Sequence, residues 1–312
     1  MKKLAFVFPG QGSQSVGMLA EIAAEFPVVE QTFAEASSVL DYDLWQLTQE
    51  GPAEKLNKTE YTQPALLAAG IAVWRVWQAK HGLIPSLLAG HSLGEYTALA
   101  AANAILFTDA IKLVRERGKA MQDAAPEGRG SMAAIVGLSE EKVLEICQKA
   151  KENNILSPAN YNSIGQIVLA GETKAIERAV DLAKKMGAKI AKILPVSIPS
   201  HCELMRPAAS ILLEKLKQVT INKPSIPILH NADVKMHTSA DGIREALTKQ
   251  LYSAVKWTET IQEMQKLGIN CIFECGPGKI LSGLNKRIVS DIVVECLSLP
   301  ANLDQALSYC LT

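Results

Sequence analysis

The sequence predicts an α/β protein, a helix-covered parallel sheet with a smaller ferredoxin-like unit inserted into it. Three observations carry that expectation. Short runs such as Leu4–Phe8 and Leu87–Ala89 are apolar throughout and alternate with helical segments, as strands covered on both faces must. Between Pro126 and Pro195 the rhythm becomes strand-helix-strand-strand-helix-strand, the order of a split βαβ unit. The chain has 312 residues, 48% of them apolar, which excludes disorder and exceeds what one small domain needs.

The chain opens on strand Leu4–Phe8, which stops at Pro9-Gly10. Helical segments follow, clearest over 62–81, with Thr62 as the expected cap and Pro64 in the first turn. A buried strand over 87–89 leads into Gly90-His91-Ser92-Leu93-Gly94, and helices are expected over 95–104 and 109–123. In the insert, strands are expected over 131–136, 155–161, 167–171 and 188–194, with helices over 139–151 and 173–186. Residues 162–165 read as the turn between the middle strands. The first rhythm then resumes with helix 203–219, strand 226–231 and helices 241–251 and 256–267. Strand Cys271–Glu274, helix 279–289 and strand 293–297 complete it. The large domain is thus expected over 1–127 and 198–312, and the insert over 128–197.

Lys plus Arg is 32 and Asp plus Glu is 32, so bulk charge favours neither nucleic acid nor an anionic membrane as a partner. The six cysteines lack metal-finger spacing and read as free thiols of a reducing compartment. The opening apolar run is shorter than the ~7–15 residues of a secretion signal. No run approaches the ~18 continuous apolar residues of a membrane span. The expectation is a soluble cytoplasmic protein without a metal site.

Gly90-His91-Ser92-Leu93-Gly94 matches G-x-S-x-G between an expected strand and an expected helix, the context of a nucleophile elbow. The glycines let two backbones pass, and the Leu93 amide at the helix start is set to hold an oxyanion. The bland alternative is a serine that only caps the helix. A serine nucleophile needs a base. His91 adjoins Ser92 on a sharp turn and is directed away from it. His201, at the return from the insert, stands where catalytic groups collect; its bland alternative is a capping histidine. Gly10-Gln11-Gly12 follows the first strand with its amides free to face a ligand, but lacks the G-x-G-x-x-G spacing of a dinucleotide loop. Gly276-Pro277-Gly278-Lys279 is not a P-loop. Arg115 and Arg117 lie two apart on one helix and so on different faces, one toward solvent and one toward the cleft.

Several motifs occur together and in order: Gly10-Gln-Gly-Ser-Gln14, Tyr61-Thr-Gln-Pro-Ala-Leu66, Gly90-His-Ser-Leu-Gly-Glu95, Arg117 with Met121-Gln122, Pro199-Ser-His201 and Glu274-Cys-Gly-Pro-Gly-Lys279. In these the chain resembles the malonyl-CoA:acyl carrier protein transacylase family of bacterial fatty-acid synthesis, from about residue 3 to residue 298. The resemblance implies an α/β-hydrolase-like large domain carrying the ferredoxin-like one. It implies Ser92 as nucleophile, His201 as base, and the Gln11 and Leu93 amides as oxyanion hole. Arg117 would grip the free carboxylate of a malonyl group, and the Gln250 main-chain carbonyl would orient the histidine. Gln63, Asn160 and Asn162 would border the cleft. Malonyl-CoA and acyl carrier protein would be the substrates, with no cofactor. Cys275 departs from the small apolar residues common in the family. A serine hydrolase, with an Asp or Glu between its serine and histidine, a carrier-binding scaffold, and a transferase of another carboxylated acyl group remain as alternatives.

Overall fold

The computed structural model describes residues 2–126, 128–196 and 198–311. Its strands are β1 (Leu4–Phe8), β2 (Leu87–Gly90), β3 (Gly130–Val136), β4 (Leu156–Ser163), β5 (Gln166–Glu172), β6 (Ile190–Ile193), β7 (Ile228–Leu229), β8 (Cys271–Glu274) and β9 (Val293–Cys296). One sheet has the order β7-β2-β1-β8-β9 with every pairing parallel. β1, β2 and β8 are buried at every position, which is why their sequence, Glu274 apart, is apolar without alternation. Successive β1 side chains enter different layers. Phe6 meets Trp74 and Trp77 of helix Thr59–Ala79 edge-on, at centroid distances of 5.5 and 5.1 Å. Ala5 and Val7 join the opposite layer, with Trp257 and Ile261 of helix Trp257–Lys266 and Leu284 of helix Ile280–Ile288.

The second sheet has the order β4-β5-β3-β6 and is antiparallel throughout. Helices Glu140–Lys151 and Thr173–Lys185 cover one face, with Val143, Ile146, Ile176 and Val180 packed against Ala133, Ile135 and Leu169. Met132, Ala159, Val168 and Ala170 instead join the main apolar cluster, so the other face turns toward the parallel sheet. That places a cleft at the carboxyl ends of β1 and β2, where Phe8 and Gly90 are register partners.

Several expectations shift. β4 runs through Asn162 and Ser163, which were read as turn, because two register shifts, between Pro158 and Asn160 and between Tyr161 and Ser163, let the strand continue while bending. The helix expected over 62–81 is Thr59–Ala79, so Pro64 lies inside it. Thr62 is no cap: its hydroxyl donates to the carbonyls of Leu56 and Lys58, at 2.6 and 3.1 Å. The helix expected over 203–219 divides into a 3₁₀ turn, Glu203–Met205, and helix Arg206–Lys217. Pro207 has no N–H to return to the Glu203 carbonyl, which sets the break. The expected boundary residues Glu127 and Ser197, and the ends Met1 and Thr312, lie outside the described residues. Among the described residues no helix is long and apolar enough to cross a membrane.

Candidate active site

Ser92 follows β2 with φ +51°, the left-handed region that a non-glycine residue enters only under constraint. The constraint is close backbone packing. A Cβ on Gly90 would lie 1.8 Å from the Gly94 carbonyl carbon, and one on Gly94 would lie 2.0 Å from Phe8 O. On Gly10 it would lie 2.4 Å from His91 O. No side chain fits at these three positions. Asn231, just beyond β7, clasps the turn: its Nδ2 donates to Gly90 O and its Oδ1 accepts from Ser92 N–H, both at 2.7 Å. The Ser92 amide is therefore engaged away from the cleft. The amides of Leu93, at the start of helix Gly94–Ala101, and of Gln11 have no protein acceptor among the described residues. The Gln11 side chain donates to Thr59 Oγ1 at 3.3 Å.

His201 Nε2 lies 2.8 Å from Ser92 Oγ, and Nδ1 lies 2.7 Å from the main-chain carbonyl of Gln250. A carbonyl only accepts, so Nδ1 carries the proton and Nε2 offers its lone pair to the serine hydroxyl. The His201 backbone is itself left-handed, φ +63°, and its amide donates to Leu251 O at 3.1 Å. Burial pulls the imidazole pKa down to about 3; the Gln250 carbonyl opposes that shift and the Arg117 charge adds to it. The ring is neutral at neutral pH, with its Nε2 lone pair facing Ser92 Oγ. Among the described residues no carboxylate touches His201.

Arg117, on helix Phe107–Ala124, is 2% exposed and forms no ion pair among the described residues. Its Nη1 donates to Gln63 Oε1 at 2.8 Å, and its Nη2 to Gln250 Oε1 at 2.9 Å and to Ser92 Oγ at 3.2 Å. Nε is buried without a protein partner among the described residues. Arg115 takes the other face and pairs with Asp41 at 2.7 Å. A cavity of about 220 Å³ brings Gln11, Ser92, Arg117, Asn160, Asn162 and His201 onto one wall-to-wall surface. Gln63 and Gln250 stand behind Arg117, each fully buried. His91 is turned away from Oγ: its Nε2 lies 2.8 Å from Asn162 Oδ1, tying the elbow to β4.

Three residues were missed as site components: Glu95, His230 and Asn231. All are fully buried. Glu95 accepts from His230 Nδ1 at 2.6 Å, from Asn231 N at 3.1 Å and from Gln250 Nε2 at 2.9 Å. One signal was legible. Glu95 is the only charged residue in a helix otherwise built from small and apolar side chains. Likewise, only the main chain of Gln250 was expected to matter, whereas its side chain also donates to Ser92 O at 2.8 Å. Among the described residues no group of three or more His, Cys, Asp or Glu is arranged to hold a metal ion.

An acyl transferase domain family matches residues 5–282. The malonyl CoA-acyl carrier protein transacylase of Salmonella typhimurium is 54% identical over 308 residues, covering 99% of this chain and 100% of that protein. The protein of the same name from Bacillus subtilis is 42% identical over 98% of this chain and 97% of its own. Among solved structures, the malonyl CoA-acyl carrier protein transacylase of Coxiella burnetii superposes with a TM-score of 0.98 at 48% identity, covering 100% of this chain and 98% of that one. A malonyl-transacylase in complex with its type II PKS acyl-carrier protein also scores 0.98, at 54% identity over 99% of this chain and all of that one. The chain belongs to the acyl transferase family, among the malonyl CoA-acyl carrier protein transacylases.

Proposed function

We propose that the protein moves a malonyl group from malonyl-CoA to the phosphopantetheine thiol of acyl carrier protein, through a malonyl-serine, in fatty-acid synthesis. The observation that carries this is a buried, unpaired guanidinium 3.2 Å from a serine oxygen that also faces a neutral histidine at 2.8 Å. Among the described residues no carboxylate touches that cation, so its donors await one carried by an acyl group.

In the first half-reaction His201 Nε2 takes the Ser92 proton and Oγ attacks the thioester carbon. The oxyanion forms against the Leu93 and Gln11 amides, and the C–S bond breaks as His201 returns its proton to the CoA sulfur. Arg117 holds the malonyl carboxylate. In the second half the carrier's thiol gives its proton to His201 and attacks the malonyl-serine; the acyl C–Oγ bond then breaks and His201 returns the proton to Ser92 Oγ. Gln250 O keeps the imidazole in the working tautomer, the task of a carboxylate in a hydrolase triad. The absence of a carboxylate at His201 among the described residues favours transferase over hydrolase. Asn160 and Asn162 line the cleft, and Gln63 holds Arg117 from behind. The reaction runs on side chains and amides, and no cofactor is assigned.

The reading includes an α/β-hydrolase-like domain over 1–127 and 198–312, a ferredoxin-like domain over 128–197, and a cytoplasmic location. Initial rates with malonyl-CoA and holo carrier protein both varied test the mechanism. Parallel double-reciprocal lines are expected; intersecting lines would mean direct transfer without an acyl-enzyme.

A further inference from the structure

Arg117 and Glu95 are both buried, carry opposite charge and do not touch; the side-chain amide of Gln250 lies between them. Its Nε2 donates to Glu95 Oε2 at 2.9 Å, and its Oε1 accepts from Arg117 Nη2 at 2.9 Å. The orientation of that amide is fixed by the charges on either side. Turned over, it would set oxygen against carboxylate and NH₂ against guanidinium. The same NH₂ group donates to the Ser92 carbonyl, so one side chain touches the elbow, the cation and the anion.

We infer that Glu95 is a positioning residue for Arg117: through the Gln250 amide it acts as the buried counter-charge that keeps the guanidinium oriented toward the acyl pocket before substrate arrives. This deepens the malonyl-transfer reading and rests on it. Two buried ions of opposite sign, bridged by a polarised amide, settle the charge of the empty site. Direct contact would have been different. A carboxylate bonded to Arg117 itself would occupy the donors that a malonyl carboxylate needs. Holding Glu95 one amide away keeps its carboxylate off the guanidinium, and Nε is left without a protein partner among the described residues. Glu95 is in turn held by His230 Nδ1 and the Asn231 amide, so its carboxylate has a donor for each direction it faces.

The test is Glu95→Gln, which keeps shape and removes charge. His230 can accommodate it, because Nε2 has no partner among the described residues and can take the ring proton, leaving Nδ1 to accept from the new NH₂. The readout is kcat/KM with malonyl-CoA and with acetyl-CoA, which carries no carboxylate. Malonyl transfer should fall about ten- to a hundredfold, the scale typical of groups that act by holding another in place, and acetyl transfer should fall much less. In an Arg117→Ala background the Glu95→Gln change should leave the malonyl-to-acetyl ratio unaltered. If the amide variant does not fold, Glu95→Asp, whose carboxylate is one methylene short of Gln250, should move the ratio the same way. Equal losses on both substrates overturn the inference. So does an additive effect on the ratio in the Arg117→Ala background. If Arg117→Ala alone leaves the ratio unchanged, the malonyl reading of the pocket fails instead.

Discussion

Replacing Arg117 by alanine separates its contact to the serine from the proposed grip on an acyl carboxylate. The Nη2–Oγ contact is 3.2 Å, longer than the ~2.7–2.9 Å of a strong charge-assisted bond. Its loss should cost about 1 kcal/mol on any acyl substrate, roughly five-fold. The proposed carboxylate contact would be made in a pocket where Arg117 is 2% exposed. Removing one partner of so desolvated a pair costs about 2–5 kcal/mol, about thirty-fold to several thousand-fold. Malonyl-CoA should therefore lose far more than acetyl-CoA, and the ratio of their kcat/KM values isolates the second contact. Arg117→Lys keeps a charge but not two parallel N–H donors, so it should recover only part of the ratio. Gln63 and Gln250 each lose a buried partner in the alanine variant, so its melting temperature must be recorded beside the kinetics. Kinetics are read at saturating carrier with each acyl-CoA varied. Equal losses on the two substrates, in a folded variant, would refute the carboxylate grip.

Three further outcomes follow from the geometry. An unfolded histidine titrates near 6.5 and His201 in the fold at about 3, so between those values the unfolded chain holds the extra proton. Stability should fall as pH drops through that window, by about 1.4 kcal/mol per pH unit from this group. Urea unfolding at several pH values should give His201→Gln a line shallower by one proton; identical slopes would contradict the assignment. Gly94→Ala sets a methyl 2.0 Å from Phe8 O, so it should lower the melting temperature and abolish acylation by displacing the elbow; a fully active variant would show that the close approach is not required. Asn231→Ala leaves Ser92 N–H and Gly90 O without their clasp, costing about 1–3 kcal/mol for each buried group left unpaired. Acylation should slow more than stability alone explains, as stopped-flow release of CoA would show; an unchanged acylation rate would remove Asn231 from the elbow.

The strands of the parallel sheet were legible because burial on both faces leaves an apolar run with abrupt ends. β1 and β8 fall at their expected residues, and β2 gains only Gly90. Asn162 was misassigned because a bulged strand carries polar residues and breaks the period-two pattern used to recognise strands. Pro64 was placed in the first turn after a Thr62 cap, yet the helix already begins at Thr59 and is tied down by the Thr62 hydroxyl. At the site, Ser92 could be found from local spacing, since the glycines on either side are demanded by backbone contact. His201 had only its place at a junction to mark it, and its partner Gln250 lies 49 residues further on, joined by the fold alone. Glu95, Asn231 and the Gln250 side chain act through contacts spanning 133 to 158 residues, which no local pattern encodes. The long-range polar network is where the tertiary structure adds what the sequence does not spell out.

The central claim is that Ser92 carries the acyl group between two thiols. Intact-protein mass spectrometry after brief exposure to malonyl-CoA tests it most directly. The account predicts one added malonyl mass on the wild type, located at Ser92 in the peptide digest and discharged on addition of holo carrier protein. Ser92→Ala should gain none. A malonyl mass on Ser92→Ala, or an adduct that the carrier's thiol fails to remove, would contradict it.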